Sequence, residues 1–266
     1  KHIITGKSPH CGGSLGRTEA TGRGIGVIIH HMLQNDYPFQ LLKNTKPCII
    51  KLEGFGNVGY YLSDYLNQLN HSKPSYLIQY ISDHTGNYMI QYNKTSIINT
   101  FTEILKYQKK YHSLENIEKH CNVAKITREE FLQKHCHIFI PAALELTIQK
   151  KEAELLNCAL IVEGSNGPIS DEAEKILTQR EIPIIPDILC NSGGVIVSYF
   201  EWIQNISNEL WTQEKVFEKL DSKMIECFNK IKDSDEHNIY HWRNLCYQYS
   251  IENIYKVYSS RKSYLF

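Results

Sequence analysis

Cys48-Ile49-Ile50-Lys51-Leu52-Glu53 runs directly into Gly54-Phe55-Gly56-Asn57-Val58-Gly59, and Asn57–Leu69 carries apolar residues at helical spacing. An apolar strand, a Gly-x-Gly-x-x-Gly turn and a helix, in that order, form the context in which this glycine pattern carries chemistry. The first glycine permits a tight turn, the second lets a pyrophosphate approach the backbone, and the third lets helix and strand pack closely. The helix N-terminus offers N–H groups and the positive end of its dipole to phosphates. The bland alternative is a glycine-rich turn with no ligand. The placement between strand and helix favours dinucleotide binding.

Outward from this unit, four further apolar runs alternate with helical patterns. The runs are Tyr76–Ser82, His137–Ile140, Cys158–Glu163 and Ile182–Asp187. The helical patterns are Thr95–Lys110, Leu146–Leu156 and Ser170–Arg180. Such alternation predicts an α/β fold of Rossmann type: a doubly wound, mostly parallel sheet with helices on both faces. Residues 16–35 read as one helix entering the sheet, and 193–260 as two or three helices without strands, a packed tail with a solvated face.

In an open parallel sheet, ligands bind beyond the C-terminal ends of the strands. The second run ends at Asp83, 29 residues after Gly54. It is either the acid that bonds an adenosine ribose or the turn aspartate of Asp83-His84-Thr85-Gly86. Three other runs lead into Pro141-Ala142-Ala143, Glu163–Pro168 and Cys190–Gly194. Small residues there leave room for a flat ring, and the amides of Asn166 and Asn191 can donate and accept toward a ribose or carboxamide. Any one of these loops reads as a plain turn; their common edge points to a site.

Composition excludes several classes. With 29 basic and 29 acidic residues the formal charge is zero, so no long-range field favours nucleic acid or an anionic membrane. No apolar run is long enough to span a bilayer, and no signal-peptide pattern opens the chain. Position 1 is Lys and the first residues already read as part of a folded domain, so the chain is expected to be a fragment, a processed product or a partial gene model. Eight scattered Cys without a C-x-x-C pair suit reduced thiols in a cytoplasmic protein rather than disulfides or zinc. The sequons at Asn70, Asn93 and Asn205 carry no meaning in that compartment. Gly6-Lys7-Ser8 mimics the end of a phosphate-binding Walker loop, but no strand precedes it. The 12 His show no metal spacing, and no metal is expected.

Taken together, Gly12–Gly24, Gly54–Gly59, Ile140–Glu145, Val162–Pro168 and above all Ile185–Asn205 closely resemble the nucleotide-binding domain of hexameric glutamate dehydrogenases. The resemblance runs from about residue 3 to the C-terminus, more loosely over 87–135. It implies residues 1–15 as an entry segment from an absent N-terminal domain, 16–208 as the NAD(P)-binding domain and 209–266 as a helical tail packed on it.

The resemblance also implies roles. Gly54, Gly56, Asn57, Val58 and Gly59 match the cofactor phosphate loop, and Asp83 the ribose-side position. Thr21, Ala142, Asn166 and Asn191 fall on the cofactor or substrate side of the cleft. Arg17 matches an arginine of the active-site cleft, and Ser198 a serine that bonds the substrate's side-chain carboxylate. Ser198 lies seven residues after Asn191, two helical turns beyond that loop. Without the resemblance it reads as a helix serine bonded to its own backbone.

The implied activity is oxidative deamination of L-glutamate to 2-oxoglutarate and ammonia, with NAD, or NADP, as hydride acceptor. The implied partners are the absent domain, in cis or in trans, and further copies in a homo-oligomer. The lysines and aspartate that do the family's acid–base work have no counterpart in this chain, so the isolated chain is expected to be inactive. Two alternatives stand: a non-catalytic NAD-binding remnant or regulatory subunit, and a dehydrogenase of an apolar amino acid. Ser198 and the Ser-Tyr-Phe-Glu-Trp run it opens disfavour the second.

Overall fold

The computed structural model of the chain describes residues 3–35, 42, 47–70, 75–92, 97–234 and 239–262. The Asn93 sequon and the Thr95 start of a predicted helix lie outside them. Seven strands form one sheet: β1 (Cys48–Glu53), β2 (Tyr76–Asp83), β3 (Gly86–Ile90), β4 (Val123–Ile126), β5 (Cys136–Pro141), β6 (Cys158–Val162) and β7 (Ile184–Ile185), in the order β4-β3-β2-β1-β5-β6-β7. Strands β2, β1, β5, β6 and β7 are mutually parallel, and β3 and β4 are added antiparallel at one edge.

Alternation along the central strands explains the double winding. Ile138 and Ile140 of β5, with Leu160 and Val162 of β6, join one buried core. Phe139 and Ile161, one position out of phase, belong to a second core, which Cys136 and Cys158 at the strand starts also join. The first core is closed by α1 (Ala20–Gln34), α2 (Asn57–Leu69) and α3 (Ile97–Tyr111), and by α9 (Gln213–Ser234). The second is closed by α4 (Arg128–Gln133), α5 (Lys150–Leu155) and α6 (Asp171–Gln179). Burying both faces of a parallel sheet is what its near-continuous apolar strands demand. Lys51 is among the polar residues that are buried: its ammonium donates to the carbonyls of Leu132 (2.9 Å) and Lys134 (2.5 Å) at the end of α4.

Four local features differ from the sequence reading, each for an identifiable reason. The entry helix begins at Ala20, not residue 16, because Gly16 takes a left-handed φ of 75° that no helix accommodates. The helix expected from Leu146 begins at Lys150: Leu146 itself has φ 54°, Ile148 bridges Ile169, and a Gln149–Glu152 capping box then starts the helix. The run Ile182–Asp187 yields only a two-residue strand, since Pro183 and Pro186 have no N–H to give the ladder. The fourth is the antiparallel pair β3 and β4, which the sequence reading did not contain.

The C-terminal stretch forms α7 (Asp187–Cys190), α8 (Gly193–Ser207), α9 and α10 (Trp242–Lys262). Among the described residues, no helix is long and apolar enough to cross a membrane.

Candidate nucleotide and substrate site

Strand β1 lies between β2 and β5, so successive crossovers leave it toward opposite sides. This is the topological switch point of an open parallel sheet, where the loops part and a ligand can enter. The loop after β1 meets the loop after β5 there: Ala142 N–H donates to the Glu53 carbonyl at 2.7 Å. Beside this junction an open cleft of about 940 Å³ is walled by Val58, Ala142, Gly164, Asn166, Asn191 and Val195, among others.

The glycine loop has the form a phosphate cradle needs. Gly54 has φ 94°, and a Cβ there would lie 2.6 Å from Ala143 N, so only glycine lets the two loops touch. A Cβ on Gly59 would lie 2.2 Å from the Gly54 carbonyl oxygen. Gly56 is different: a Cβ there meets no heavy atom within 4 Å. Its openness is therefore not demanded by packing and leaves room for a group approaching from solvent. Gly56 is also the N-cap of the 13-residue α2, and no side chain caps the helix. Asn57 and Val58 form its first turn, whose N–H groups and dipole favour an anion.

Two side-chain pairs meet in the cleft. Arg17, just before α1, donates through Nε to Ser198 Oγ on α8 at 2.9 Å. Asn191, which ends α7, donates through Nδ2 to Asn166 Oδ1 at 2.7 Å. Thr21, on the first turn of α1, completes this wall. A Cβ on Gly194 would come within 2.6 Å of Thr21 Oγ1 and 3.5 Å of Arg17 Nη1, so a residue without a side chain lets α1 and α8 share the cleft. Ser207 of the same helix behaves as helix serines ordinarily do, donating to the Ile203 carbonyl at 3.0 Å. Ser198 instead accepts from Arg17, and its hydroxyl proton remains available to an acceptor.

Asp83 stands apart from this cleft. Its Oδ1 accepts from Thr85 N (2.8 Å) and Thr85 Oγ1 (2.5 Å), and its Oδ2 accepts from Leu114 N (2.7 Å). These are the bonds of the turn-aspartate reading; a ribose would have to share the same carboxylate. His84 Nδ1 lies 3.8 Å from Oδ2.

Two groups in and under the site went unread in the sequence. Glu163, Asp187 and Arg243 form a charged cluster beneath the Asn166 and Asn191 loops, and Tyr247 of α10 borders the cleft. Burial pushes the Glu163 carboxyl above its ordinary pKa, while the bonded Arg243 guanidinium pulls it back. Nothing in spacing links residue 243 to residue 163; only a Glu directly ahead of a Gly-Ser-Asn-Gly loop hinted at a buried acid. Gly6 and Lys7, dismissed as a phosphate loop, instead clamp the fully buried Glu201 side chain of α8. Gly6 N–H donates to Oε2 at 3.0 Å and Lys7 Nζ to Oε1 at 2.5 Å.

Known proteins share the sequence and fold of this chain over most of its length. The family model for glutamate/leucine/phenylalanine/valine dehydrogenases matches residues 12–261. The NAD-specific glutamate dehydrogenase of Peptoniphilus asaccharolyticus is 36% identical over 253 residues, covering 94% of this chain and 56% of that protein. The NAD-specific glutamate dehydrogenase of Clostridioides difficile is 36% identical over 256 residues, covering 95% and 57%. The crystal structure of the Peptoniphilus asaccharolyticus enzyme superposes with a TM-score of 0.74 at 30% identity, covering 98% of this chain and 57% of that one. The chain thus spans little more than half the length of these relatives.

Proposed function

The chain belongs to the glutamate/leucine/phenylalanine/valine dehydrogenase family, whose NAD(P)-binding portion it carries, and from that premise we propose that it serves the oxidative deamination of L-glutamate to 2-oxoglutarate and ammonia. The observation that carries this reading is the Arg17–Ser198 pair, a hydroxyl and a guanidinium facing the cleft that also holds the Asn166–Asn191 pair. When bound, NAD(P) supplies the acceptor for the hydride leaving the substrate's α-carbon.

The chain's own residues have separable tasks in this scheme. Gly56 and the first turn of α2 receive the pyrophosphate. Asn166 and Asn191 orient the nicotinamide end through their amides, with Thr21 and Ala142 shaping the wall. Ser198 donates its free proton to the substrate's side-chain carboxylate, while Arg17 supplies positive charge and fixes the hydroxyl. Asp83 holds the β2–β3 turn and offers its remaining lone pairs to the adenosine ribose. The groups that move protons and clamp the α-amino acid belong to residues outside this chain, from a further domain in cis or in trans, in a homo-oligomer. Residues 16–208 form the nucleotide domain in this reading, with 209–266 packed on it. Eight free thiols, five of them buried, support a cytoplasmic setting.

The test is direct titration of the purified chain with NADH by fluorescence or calorimetry. Saturable binding that Gly56→Val abolishes supports the reading; equal binding by both proteins defeats it.

A further inference from the structure

Helix α10 looks from the sequence like a solvated tail, and most of it is exposed, but its first turn is not. Trp242 is fully buried and packs edge-on against Phe228 at 5.4 Å between ring centroids. That contact delivers the next residue, Arg243, into the molecule. Its guanidinium bonds three carboxylates from three different elements. Nη2 donates to Glu163 Oε1 at 2.8 Å, beyond β6. Nε donates to both oxygens of Glu174 on α6, at 3.1 and 3.0 Å. Nη1 donates to Asp187 Oδ1 at 3.3 Å, at the start of α7.

The carboxylates then bind the loops. Glu163, without exposed surface, accepts the Asp187 N–H at 2.8 Å on its other oxygen. Asp187 Oδ2 accepts the Gly167 N–H at 2.8 Å. Gly167 follows Asn166, and Asn191 caps the helix that Asp187 begins. One guanidinium thus sits where three acidic groups converge beneath the two loops whose amides meet at 2.7 Å in the cleft. Without it, the buried Glu163 and the partly buried Asp187 and Glu174 would face one another uncompensated, and relief would come by the loops moving apart.

We propose that Arg243 is a positioning residue for the nicotinamide-end half of the nucleotide site, setting the separation of Asn166 and Asn191 through Glu163 and Asp187 without itself touching the nucleotide. The inference rests on the reading of the cleft as an NAD(P) site. It predicts an effect confined to one end of the dinucleotide, because among the described residues no hydrogen bond or ion pair joins the Gly54–Gly59 loop to this cluster.

The experiment compares NADH with ADP, which shares the adenosine and both phosphates but has no nicotinamide end, on the purified chain. Arg243→Gln is expected to weaken NADH about tenfold, the worth of one or two positioned hydrogen bonds, while ADP affinity stays within about twofold. Arg243→Lys keeps the charge but cannot answer three carboxylates in one plane, and loses about threefold for NADH alone. If the Gln variant does not fold, the Lys variant carries the test. Equal losses for NADH and ADP, or no loss in either, overturn the proposal. Wild-type protein that binds ADP as tightly as NADH also overturns it, since the nicotinamide end then contributes nothing. Wild-type protein that binds neither defeats the site reading itself.

Discussion

Arg17 Nε and Ser198 Oγ stand 2.9 Å apart, joining residues separated by 181 positions in the chain. The serine oxygen accepts from the guanidinium, so its own proton can be donated to a further acceptor. A site built to bond a carboxylate leaves polar groups unpaired when an apolar side chain enters. Losing one hydrogen bond to a charged group costs roughly 1.5–3 kcal/mol. In the complete enzyme, Ser198→Ala is therefore expected to lower kcat/KM for glutamate roughly ten- to a hundredfold and to leave norvaline nearly unchanged. Steady-state kinetics with both substrates decides it; equal losses would make the serine structural, and a wild-type preference for norvaline would end the glutamate reading.

The contrast between Gly56 and Gly59 makes a second prediction. Gly56 has φ −81° and ψ −158°, a conformation open to any residue, and free space where a side chain would go. Gly56→Val should thus cost only the N-cap preference for glycine, about 0.5–1 kcal/mol in urea denaturation, yet abolish NADH binding. Gly59→Ala places a methyl 2.2 Å from a carbonyl oxygen and should destabilise the fold by about 1–3 kcal/mol. Finding that both variants lose stability alike would remove the case for a phosphate cradle at Gly56.

Asp83 yields a prediction opposite in kind. Its carboxylate satisfies the N–H groups of Thr85 and Leu114 and the Thr85 hydroxyl, and Leu114 is fully buried. Asp83→Ala strands the Leu114 N–H and should cost roughly 2–3 kcal/mol in urea denaturation. Unchanged stability with lost NADH affinity would assign the residue to the ribose alone.

The Lys7–Glu201 clamp has a pH signature. Burial alone would raise the Glu201 carboxyl, but Lys7 and the backbone N–H groups of Gly6 and Lys7 outweigh it and hold it below 4.5. A depressed carboxylate contributes stability that is complete above its unfolded value and lost as pH falls through the folded one. Lys7→Ala should cost about 2–3 kcal/mol at neutral pH, since it leaves a buried charge on two weaker donors. The gap from wild type should narrow as pH falls toward the depressed folded value, which lies below 4.5, and close only once Glu201 is protonated in wild type as well as in the variant. Urea midpoints across that range check it; a constant gap would mean Lys7 acts by packing alone.

Much of this architecture was legible in the chain because the signals are local. The apolar runs at Cys48, Tyr76 and Cys158 are strands, and the Gly54–Gly59 turn joins strand to helix. The edge strands β3 and β4 escape the sequence reading because Gly86–Ile90 and Val123–Ile126 are only five and four residues long and mostly not buried, although Asp83-His84-Thr85-Gly86 is visible as a turn. The two meetings in the cleft were beyond any local reading: Arg17 finds Ser198, and Asn166 finds Asn191, only through the sheet's topology. The same holds for Arg243, whose partners lie 56 to 80 residues upstream. A tail rich in Tyr, Lys and Asn gave no sign that its first turn is an internal anchor.

Residues 6–14 lie along α8, where Glu201 accepts from the Gly6 N–H, Gln204 donates to Ser14 Oγ and Asn205 donates to the Gly12 carbonyl, partners 190 to 195 positions apart. These contacts cannot form while the chain is being made until residue 205 has left the ribosome. Until then the Glu201 clamp has no counterpart, and the segment that presents Arg17 to the cleft has nothing to rest on. Contacts this distant raise the contact order and slow the last stage of folding. Nascent chains stalled before α8 emerges should be cut readily by trypsin after Lys7, and those stalled well past it should resist. The order of events then places the completion of the cleft among the last steps of the molecule's assembly, set by synthesis itself.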